Sequence, residues 1–434
     1  MRAWILLGFT SAAVAAAAAC ASSDDEAAPD SPPPDTGAVP DAAVNEAAPD
    51  DAQSDAGLVT CSAAGWCATS LPDIDLRMKD VWPLPGHAFA IAESPTLGTK
   101  VLEWRDADSA WRYIDDNTQN EIGGKYAGTI WAPNENEVYF AVAPSYVYRG
   151  TRLPPPSTGW SWSHSKLQDN APVEAPFHDP SSDDHGYRYN SGLGTWAPAL
   201  GVWGIGSGDV YAWFSNTIHH WKPDESGTPG WVAEYIADDA DSSFEHLFFV
   251  SATGTGHDDL WFSGARSQGF GECALLIHKT SEGYRRVVDG LVQDSSCFER
   301  TGYLHVGGAE GWLTDIQAMD SGELLGLKGA NDVARFSAEN DHVSVSLSPV
   351  PKLFSVGASA MGYSSLWSSP AEVWLTGWSL VARGKGVGDA ATYQVSTIAL
   401  NGAPLQRDMY RVRGTSSTNL WAIGNGYAFH KTTP

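Results

Sequence analysis

Aromatic side chains are concentrated, together with histidines and carboxylates, in the segment between residues 160 and 196. The aromatic residues are Trp160, Trp162, Tyr187, Tyr189 and Trp196. Aromatic rings offer apolar faces on which sugar rings stack, and neighbouring carboxylates and amides hydrogen-bond to sugar hydroxyls. We therefore predict that these five residues form a binding surface. The alternative is that the three tryptophans are strand residues packed in the core.

The same segment contains residue types that bind metal ions. His178, Asp179, Asp183, Asp184 and His185 carry the nitrogen and oxygen atoms that zinc and calcium take as ligands. Their spacing matches no strong metal-binding signature, so we expect neither a metal nor another cofactor.

The sequence contains no catalytic motif: no Gly-x-Ser-x-Gly, no His-Glu-x-x-His and no phosphate-binding loop. Three histidines and three other polar residues share one position of an internal repeat: His220, His278, His430, Glu103, Arg149 and Arg335. A position that accepts His, Glu and Arg is a polar position on a strand. We therefore predict no catalytic residue.

The repeat that contains this position is clearest between Gly201 and Trp231. It consists of four β-rich runs separated by turn residues such as Ser207-Gly208-Asp209. Seven copies align on a residue of their second run, at Phe89, Tyr139, Tyr211, Trp261, Leu325, Trp374 and Trp421. These residues are 50, 72, 50, 64, 49 and 47 positions apart. Four-stranded repeats of this length predict an all-β fold, a seven-bladed β-propeller.

The last copy ends at Pro434, directly after its third run. A closed ring needs a fourth, and the run from Gly65 to Pro72 begins with a Trp as the fourth run of the clearest copy does. We predict that this N-terminal strand closes the last blade, which removes an exposed sheet edge.

Four long segments should lie on one face of the propeller: 163–194, 265–272, 289–306 and 380–391. In a four-stranded blade, the turns between strands 2 and 3 share a face with the connections between blades. Loops on a rigid scaffold often carry function, so we predict that this face binds a partner. The alternative is drift in surface loops.

The five cysteines fall into three groups. Cys20 lies near the N-terminus, Cys61 and Cys67 flank the closing strand, and Cys273 and Cys297 belong to blade 4. Exported chains form disulfides, so we predict the pairs Cys61–Cys67 and Cys273–Cys297. The alternative is free buried thiols.

The first 60 residues have two parts. Arg2 precedes an apolar run from Trp4 to Ala19, and the small residues before Cys20 resemble a bacterial lipobox. That resemblance implies a lipoprotein signal peptide over 1–19 and lipidation of Cys20, and the alternative is an ordinary secretory signal. Residues 21–60 carry ten acidic residues and no Lys or Arg. We predict a disordered acidic Ala/Pro-rich tether over 20–60 and the propeller over 61–434.

The net charge of −26 disfavours nucleic acid as a partner and leaves the lipid anchor as the only expected membrane contact. Ala21 follows Cys20, and in diderm bacteria the lipobox resemblance then implies outer-membrane retention. We expect an exported monomer that faces the periplasm or the cell surface.

The segments GVWGIGSGDVYAW, DDLWFSG, AEVWLTG and TNLWAIG resemble the VWGSGPDDVWAVG-type repeats of exported bacterial β-propeller lipoproteins. The resemblance covers about Gly65 to Pro434 and implies surface location more than chemistry. We predict a non-enzymatic binding or interaction module for protein or glycan. One alternative is a polysaccharide hydrolase or lyase, which requires titratable groups on the channel-facing first strands of different blades. The other is a structural subunit of an envelope complex.

Overall fold

The computed structural model describes residues 61–123, 126–171, 187–190, 195–308, 310–339, 342–351, 362–386, 391–400, 403–405 and 407–433. Within them, the chain forms seven four-stranded antiparallel sheets arranged as a β-propeller. The predicted fold is confirmed. None of the helices in these residues is long and apolar enough to cross a bilayer.

Strand β1 (Trp66–Ala68) precedes the first three blades. Blade 1 contains β2 (Arg77–Leu84), β3 (His87–Ser94), β4 (Gly98–Arg105) and β5 (Ala110–Tyr113). The short helix α1 (Thr118–Glu121) leads to blade 2, which contains β6 (Ala127–Asn134), β7 (Glu137–Val142), β8 (Tyr146–Arg152) and β9 (Trp160–Lys166). The hairpin β10 (Tyr187–Asn190) and β11 (Thr195–Pro198) precedes blade 3, which contains β12 (Leu200–Gly206), β13 (Asp209–Phe214), β14 (Thr217–Pro223) and β15 (Pro229–Ile236).

Blades 4 to 7 follow the same plan. Blade 4 contains β16 (Glu245–Gly256), β17 (Asp259–Gln268), β18 (Gly271–Thr280) and β19 (Gly283–Val288), and the hairpin β20 (Gly290–Gln293) and β21 (Ser296–Glu299) follows it. Blade 5 contains β22 (Leu313–Ala318), β23 (Glu323–Lys328), β24 (Asp332–Glu339) and β25 (His342–Pro349). Blade 6 contains β26 (Tyr363–Ser369), β27 (Glu372–Gly377), β28 (Leu380–Lys385) and β29 (Thr392–Ser396). The hairpin β30 (Ala399–Leu400) and β31 (Ala403–Pro404) precedes β32 (Met409–Ser416), β33 (Asn419–Gly424) and β34 (Tyr427–Lys431) of blade 7.

The ring closes where the sequence predicts. The last sheet has the strand order β1-β34-β33-β32, so the N-terminal strand is the outer strand of blade 7. Trp66 lies opposite Lys431 in this sheet, just as Trp231 lies opposite Trp221 in blade 3. Trp66 is buried, and its indole N–H donates a hydrogen bond to Ser396 Oγ of blade 6 at 2.9 Å. The closing strand therefore also joins the last two blades.

Blade 6 departs from the prediction. Its third strand is β28, which follows β27 after a two-residue turn, whereas the sequence pattern predicts a long loop segment over 380–391. Residues 392–396 form the fourth strand. Antiparallel topology places the end of β28 and the start of β29 on the face opposite to the turns between strands 2 and 3, so the predicted position of this segment is wrong.

The first strands of the blades surround the central channel and place two rings of side chains around it. The inner-strand residues that lie opposite the seven aligned second-strand residues form one ring: Trp82, Trp131, Trp203, Thr253, Gln317, Trp367 and Arg413. The residues two positions earlier form a second ring that is mostly polar: Asp80, Thr129, Gly201, Ser251, Asp315, Ser365 and Arg411.

The polar ring connects neighbouring blades. At four positions, a side-chain oxygen accepts the backbone N–H of the inner strand in the next blade: Asp80 from Ile130, Thr129 from Val202, Asp315 from Leu366, and Ser365 from Val412, over 2.8–3.2 Å. Inner strands have no partner strand on the channel side, so these bonds satisfy donors that pairing within the blade leaves free. A polar residue at this position is therefore part of the architecture.

Both predicted disulfides are present. Cys61 is bonded to Cys67, and Cys273 is bonded to Cys297. Cys67 lies within the closing strand, and Cys61 precedes it. The second disulfide attaches the β20–β21 hairpin to β18 of blade 4. The predicted lipidation site Cys20 and the predicted tether lie outside the described residues.

Candidate functional site

The face that carries the turns between strands 2 and 3 and the connections between blades is called the connector face below. It is most elaborate at blade 4. The segment 265–272, predicted as a long loop, is instead an extension of β17 and β18 that closes with the two-residue turn Gly269-Phe270. The side chain of Phe270 at this tip is 78% exposed. Blade 4 thus projects further along this face than its sequence pattern suggests.

The β20–β21 hairpin packs beside that tip. Gly290 lies against the disulfide, and a Cβ atom there would be 2.5 Å from Cys273 Sγ and 2.6 Å from Cys297 Sγ, so only glycine fits. The same hairpin leaves Leu291 and Phe298 37% and 48% exposed. We call Phe270, Leu291 and Phe298 the blade 4 platform. It holds exposed apolar side chains on two hairpins joined by a covalent bond.

A buried ion-pair network supports the blade 4 platform. The Arg266 side chain is fully buried, and its Nε and Nη2 atoms donate to the two carboxylate oxygens of Asp289 at 3.0 and 2.9 Å. Its Nη1 donates to Glu245 Oε2 at 2.6 Å. Arg286 adds a pair of 2.7 Å bonds to Asp239 and a 2.8 Å bond to Asp289. Every side chain in this network pairs with one of opposite charge, so the network fixes the connections on both sides of blade 4.

Trp160 and Trp162, two of the predicted binding residues, lie on β9, the outer strand of blade 2. Trp162 donates its indole N–H to the carbonyl of Ile114 at 2.9 Å and packs over Gly150, where a Cβ atom would be 2.5 Å from the ring. Trp160 stacks on Trp162 with centroids 6.0 Å apart, and the Arg152 guanidinium lies 4.4 Å from its centroid. The core-packing alternative is therefore correct for part of each ring.

The same two tryptophans also border a groove at the rim of the propeller. The groove has a volume of about 350 Å³ between blades 1 and 2, and charged residues such as Glu103, Arg112 and Asp116 contribute to its walls. Both tryptophans are half-buried, so each presents part of its ring to this groove. The site lies beside the outer strands, and the sequence had placed it in a loop of the connector face.

Tyr187, Tyr189 and Trp196 lie on the β10–β11 hairpin that precedes blade 3. In its backbone register Tyr189 lies opposite Trp196. The metal-binding residue types of that segment, at 178–185, lie outside the described residues. Within the described part of the chain, no group of three or more His, Cys, Asp or Glu side chains is placed to hold a metal ion.

The shared polar position of the third strand has a structural role. Each of its members lies opposite an aligned second-strand residue, as His220 lies opposite Tyr211 and His278 opposite Trp261. The His278 ring stacks on Trp261 at 3.7 Å, and its Nε2 lies 2.8 Å from Asp259 Oδ1. The blade 6 member is Arg383, opposite Trp374, which the sequence reading missed because it misplaced the third strand. His220 is held in the same way, by a stack on Tyr211 and a 3.0 Å contact with Glu234.

The central channel contains a second cavity of about 350 Å³, lined by inner-strand residues from all seven blades. Two buried carboxyl groups, Asp80 and Asp315, and two half-buried arginines, Arg411 and Arg413, lie at its wall or directly behind it. Asp315 is fully buried, and both of its carboxylate oxygens accept from Arg413, at 2.7 and 2.9 Å. Arg411 lies between Asp80 and Asp315, 3.5 Å and 3.4 Å from their nearest carboxylate oxygens.

The two channel carboxylates have opposite electrostatic environments. Burial raises the pKa of Asp80, and Arg411 and Arg413 only partly oppose this effect. Burial would also raise the pKa of Asp315, but its ion pairs with Arg413 and Arg411 hold it below the usual value. Pairs of carboxyl groups with separated pKa values occur in acid–base catalysis.

Asp80 and Asp315 bring titratable groups from different first strands to the channel region, which is the condition that the enzymatic alternative sets. Only Asp80 lines the cavity, and it is the only carboxylic acid among the described residues that do so. Asp315 lies behind the wall, and its oxygens are taken by Arg413, Ser365 Oγ and the Leu366 N–H. Glycoside hydrolases generally use two carboxyl groups of the enzyme, which flank the bond that is cleaved. Among the described residues, the wall of this channel supplies one carboxyl group.

Comparisons with known proteins show similarity in fold. Two structures of YCF48 are 13% identical to this chain with a TM-score of 0.51, one described as bound to D1 peptide and the other from Cyanidioschyzon merolae. The alignments cover 85% of this chain and 96% and 99% of those chains. No family model and no curated protein sequence matches the chain. At this identity the similarity establishes a propeller fold.

Proposed function

We propose that this chain is an exported, lipid-anchored β-propeller that binds a protein partner through its connector face without catalysing a reaction. The observation that carries the proposal is the blade 4 platform. Exposed apolar side chains that are grouped on a surface mark protein–protein interaction sites. Binding through them costs little ordering entropy because the two hairpins are already fixed.

The proposed location rests on the sequence and on the disulfides. An apolar leader, small residues before Cys20 and an acidic segment over 21–60 fit a lipoprotein held away from a membrane by a tether. Two disulfides fit an oxidising compartment outside the cytosol. YCF48, which shares the fold, is described as bound to D1 peptide and is a precedent for peptide recognition on this scaffold.

Site-specific photo-crosslinking in the native host tests the protein-binding proposal. A photoreactive phenylalanine analogue at position 270 or 298 of the full chain should trap one defined protein. Phe298→Ala should remove the crosslink made from position 270. Ile205 is the matched control, because it is also exposed and apolar but lies at the end of β12, next to the turn between strands 1 and 2 of blade 3 and so at the opposite face. Equal trapping from position 205, or no effect of Phe298→Ala, would refute the proposal.

Glycan binding has one specific observation in its favour, the stacked pair of Trp160 and Trp162 at the rim groove. Binding of a soluble polysaccharide that Trp160→Ala abolishes and Phe270→Ala leaves unchanged would favour this second function. Release of reducing ends in the same assay would instead support the enzymatic alternative.

A further inference from the structure

Exposed acidic side chains surround the apolar surface of the blade 4 platform. Three segments carry the connector face at blade 4: 237–244, 266–272 and 289–306. Together they contain seven acidic residues, two arginines and no lysine. Apolar groups on a negative surface restrict the kind of partner that binds there, because a partner with like charge is repelled.

The arginines of these segments already pair with carboxylates, whereas the acidic residues next to the platform do not pair with a cation. Arg300 donates to both oxygens of Asp241, at 2.6 and 3.1 Å, and the other arginine belongs to the buried network. Asp294 and Glu299 are exposed, and Glu299 directly follows Phe298 in β21. In the described part of the chain, no Lys, Arg or His forms an ion pair with either of them. Their negative charge is therefore left for a partner to match.

The backbone of Asp294 is held beside the tip of the other hairpin. It lies in the two-residue turn between β20 and β21, where Asp294 and Ser295 have left-handed φ values of 50° and 63°. This turn packs against the tip that carries Phe270, since a Cβ atom on Gly271 would be 2.9 Å from Ser295 Cα. Asp294 thus lies close to Phe270, in a tight hairpin turn.

The negative charge disfavours three occupants that an exposed apolar surface could otherwise take. The segment over 21–60 carries ten acidic residues and no Lys or Arg, so the platform repels it. A second copy of this chain is repelled in the same way, because each copy has a net charge of −26. The anionic surface of a membrane is equally unfavourable. A different protein with positive charge at its contact surface fits best.

The aromatic rings of the platform add to the preference for positive charge. Lys and Arg side chains are attracted to the faces of aromatic rings as well as to carboxylates. Phe270 and Phe298 provide the rings, and both are exposed. A partner segment that combines apolar residues with Lys or Arg therefore matches the platform and its acidic edge together.

We infer that the blade 4 platform binds a cationic segment of another protein. Apolar residues of that segment contact the platform, and its Lys or Arg residues pair with Asp294 and Glu299. The inference rests on the proposed function, because it names the chemistry of the partner that this platform binds.

Photo-crosslinking with altered charge at the edge of the platform tests the inference. A photoreactive phenylalanine analogue at position 270 of the full chain is combined, in the native host, with Asp294→Asn and Glu299→Gln. Both changes keep the shape of the side chain and remove its charge, and asparagine accepts the left-handed backbone at position 294. Loss of two ion pairs at the edge of an interface should lower the crosslink yield about three- to tenfold.

Asp258→Asn combined with Glu282→Gln is the matched control. These two residues are exposed and belong to blade 4, but they lie in the turns between strands 1 and 2 and between strands 3 and 4, on the opposite face. The same loss of charge there should leave the yield unchanged. Mass spectrometry of the crosslinked product should identify a trapped segment with more Lys and Arg than Asp and Glu.

A synthetic peptide with the trapped sequence provides the second readout. Its affinity for the full chain carrying Cys20→Ser should fall as the salt concentration rises, and it should fall less steeply when Asp294→Asn and Glu299→Gln are present. A neutral or acidic trapped segment, or equal yields from the two double variants, would overturn the inference and leave protein binding in place. No trapping at all from position 270 would refute the proposed function and this inference with it.

Discussion

Two buried Arg–Asp networks in this propeller differ in how completely they satisfy their polar atoms. Under the blade 4 platform, Arg266 donates from all three guanidinium nitrogens and both oxygens of Asp289 accept. Beside the channel, Asp315 is saturated in the same way, but Asp80 retains an oxygen without a hydrogen bond. The first kind of carboxylate is held by hydrogen bonds on both oxygens, whereas Asp80 Oδ1 has only an ion pair with Arg411 at 3.5 Å. The following predictions test this distinction.

The largest effect is expected at Arg266. Arg266→Met leaves Glu245 buried without a counter-charge and leaves Asp289 with a hydrogen bond from one arginine only, Arg286, which should lower the free energy of unfolding by about 3–5 kcal/mol. Arg112→Met is the matched control, because the Arg112–Asp108 pair is exposed and should contribute less than about 1 kcal/mol. Urea unfolding monitored by tryptophan fluorescence measures both changes. Similar losses of unfolding free energy in the two variants would show that burial does not determine how much an ion pair contributes to stability.

The second effect concerns the disulfide that holds the blade 4 platform. Replacing Cys273 and Cys297 together by Ala should destabilise the fold by about 3 kcal/mol, given the 24-residue separation of this pair. The Cys61–Cys67 pair spans six residues, and its removal should cost about 2 kcal/mol by the same chain-entropy argument. Unfolding measurements on both double variants, with amide exchange over 290–299, test the comparison. A larger loss at Cys61–Cys67 would contradict it.

The sequence predicts the blades well for a physical reason. Second strands are covered on both sides by neighbouring blades, so they read as continuous apolar runs after a polar turn, as in Glu137–Val142. The third strand of blade 6 was missed because the turn before it, Trp378-Ser379, contains no glycine. Ser379 adopts a left-handed φ of 60° there, which sequence patterns rarely indicate for serine.

The channel could not be predicted from local patterns, because its charges are brought together only when the ring closes. Asp80, Asp315 and Arg413 are separated by 235 and 98 positions, and each lies in a strand that mixes polar and apolar residues. One signal was present. The residue two positions before the inner-strand position of each repeat is Asp, Thr, Gly, Ser, Asp, Ser and Arg. An aligned polar position inside an apolar strand would have indicated the polar ring.

A smaller effect is expected at Asp315. Asp315→Asn loses the charge-assisted bonds to Arg413 and should lower the free energy of unfolding by about 2–3 kcal/mol at neutral pH. Asp108→Asn is the control, since the Asp108–Arg112 pair is exposed and its loss should be within about 0.5 kcal/mol. The pKa of Asp315 is lower in the folded state than in the unfolded state. The stability that its ionised form contributes is therefore complete at pH values above the unfolded-state pKa and is lost as the pH falls through the folded-state pKa. Urea unfolding across the acid range should show the deficit of Asp315→Asn shrinking as pH falls.

The smallest effect, and the sharpest test of the comparison, is expected at Asp80. In Asp80→Asn the amide oxygen can keep the Ile130 N–H, and removal of a buried charge offsets the lost ion pair with Arg411. The change in stability at neutral pH should therefore be within about 1 kcal/mol. Burial raises the folded-state pKa of Asp80, so its protonated form stabilises the protein at low pH and that contribution is lost as pH rises through the folded pKa. The stability of Asp80→Asn relative to the wild type should consequently increase as pH rises, whereas the relative stability of Asp315→Asn should decrease. Parallel profiles for the two variants would mean that Asp80 is as fully paired as Asp315.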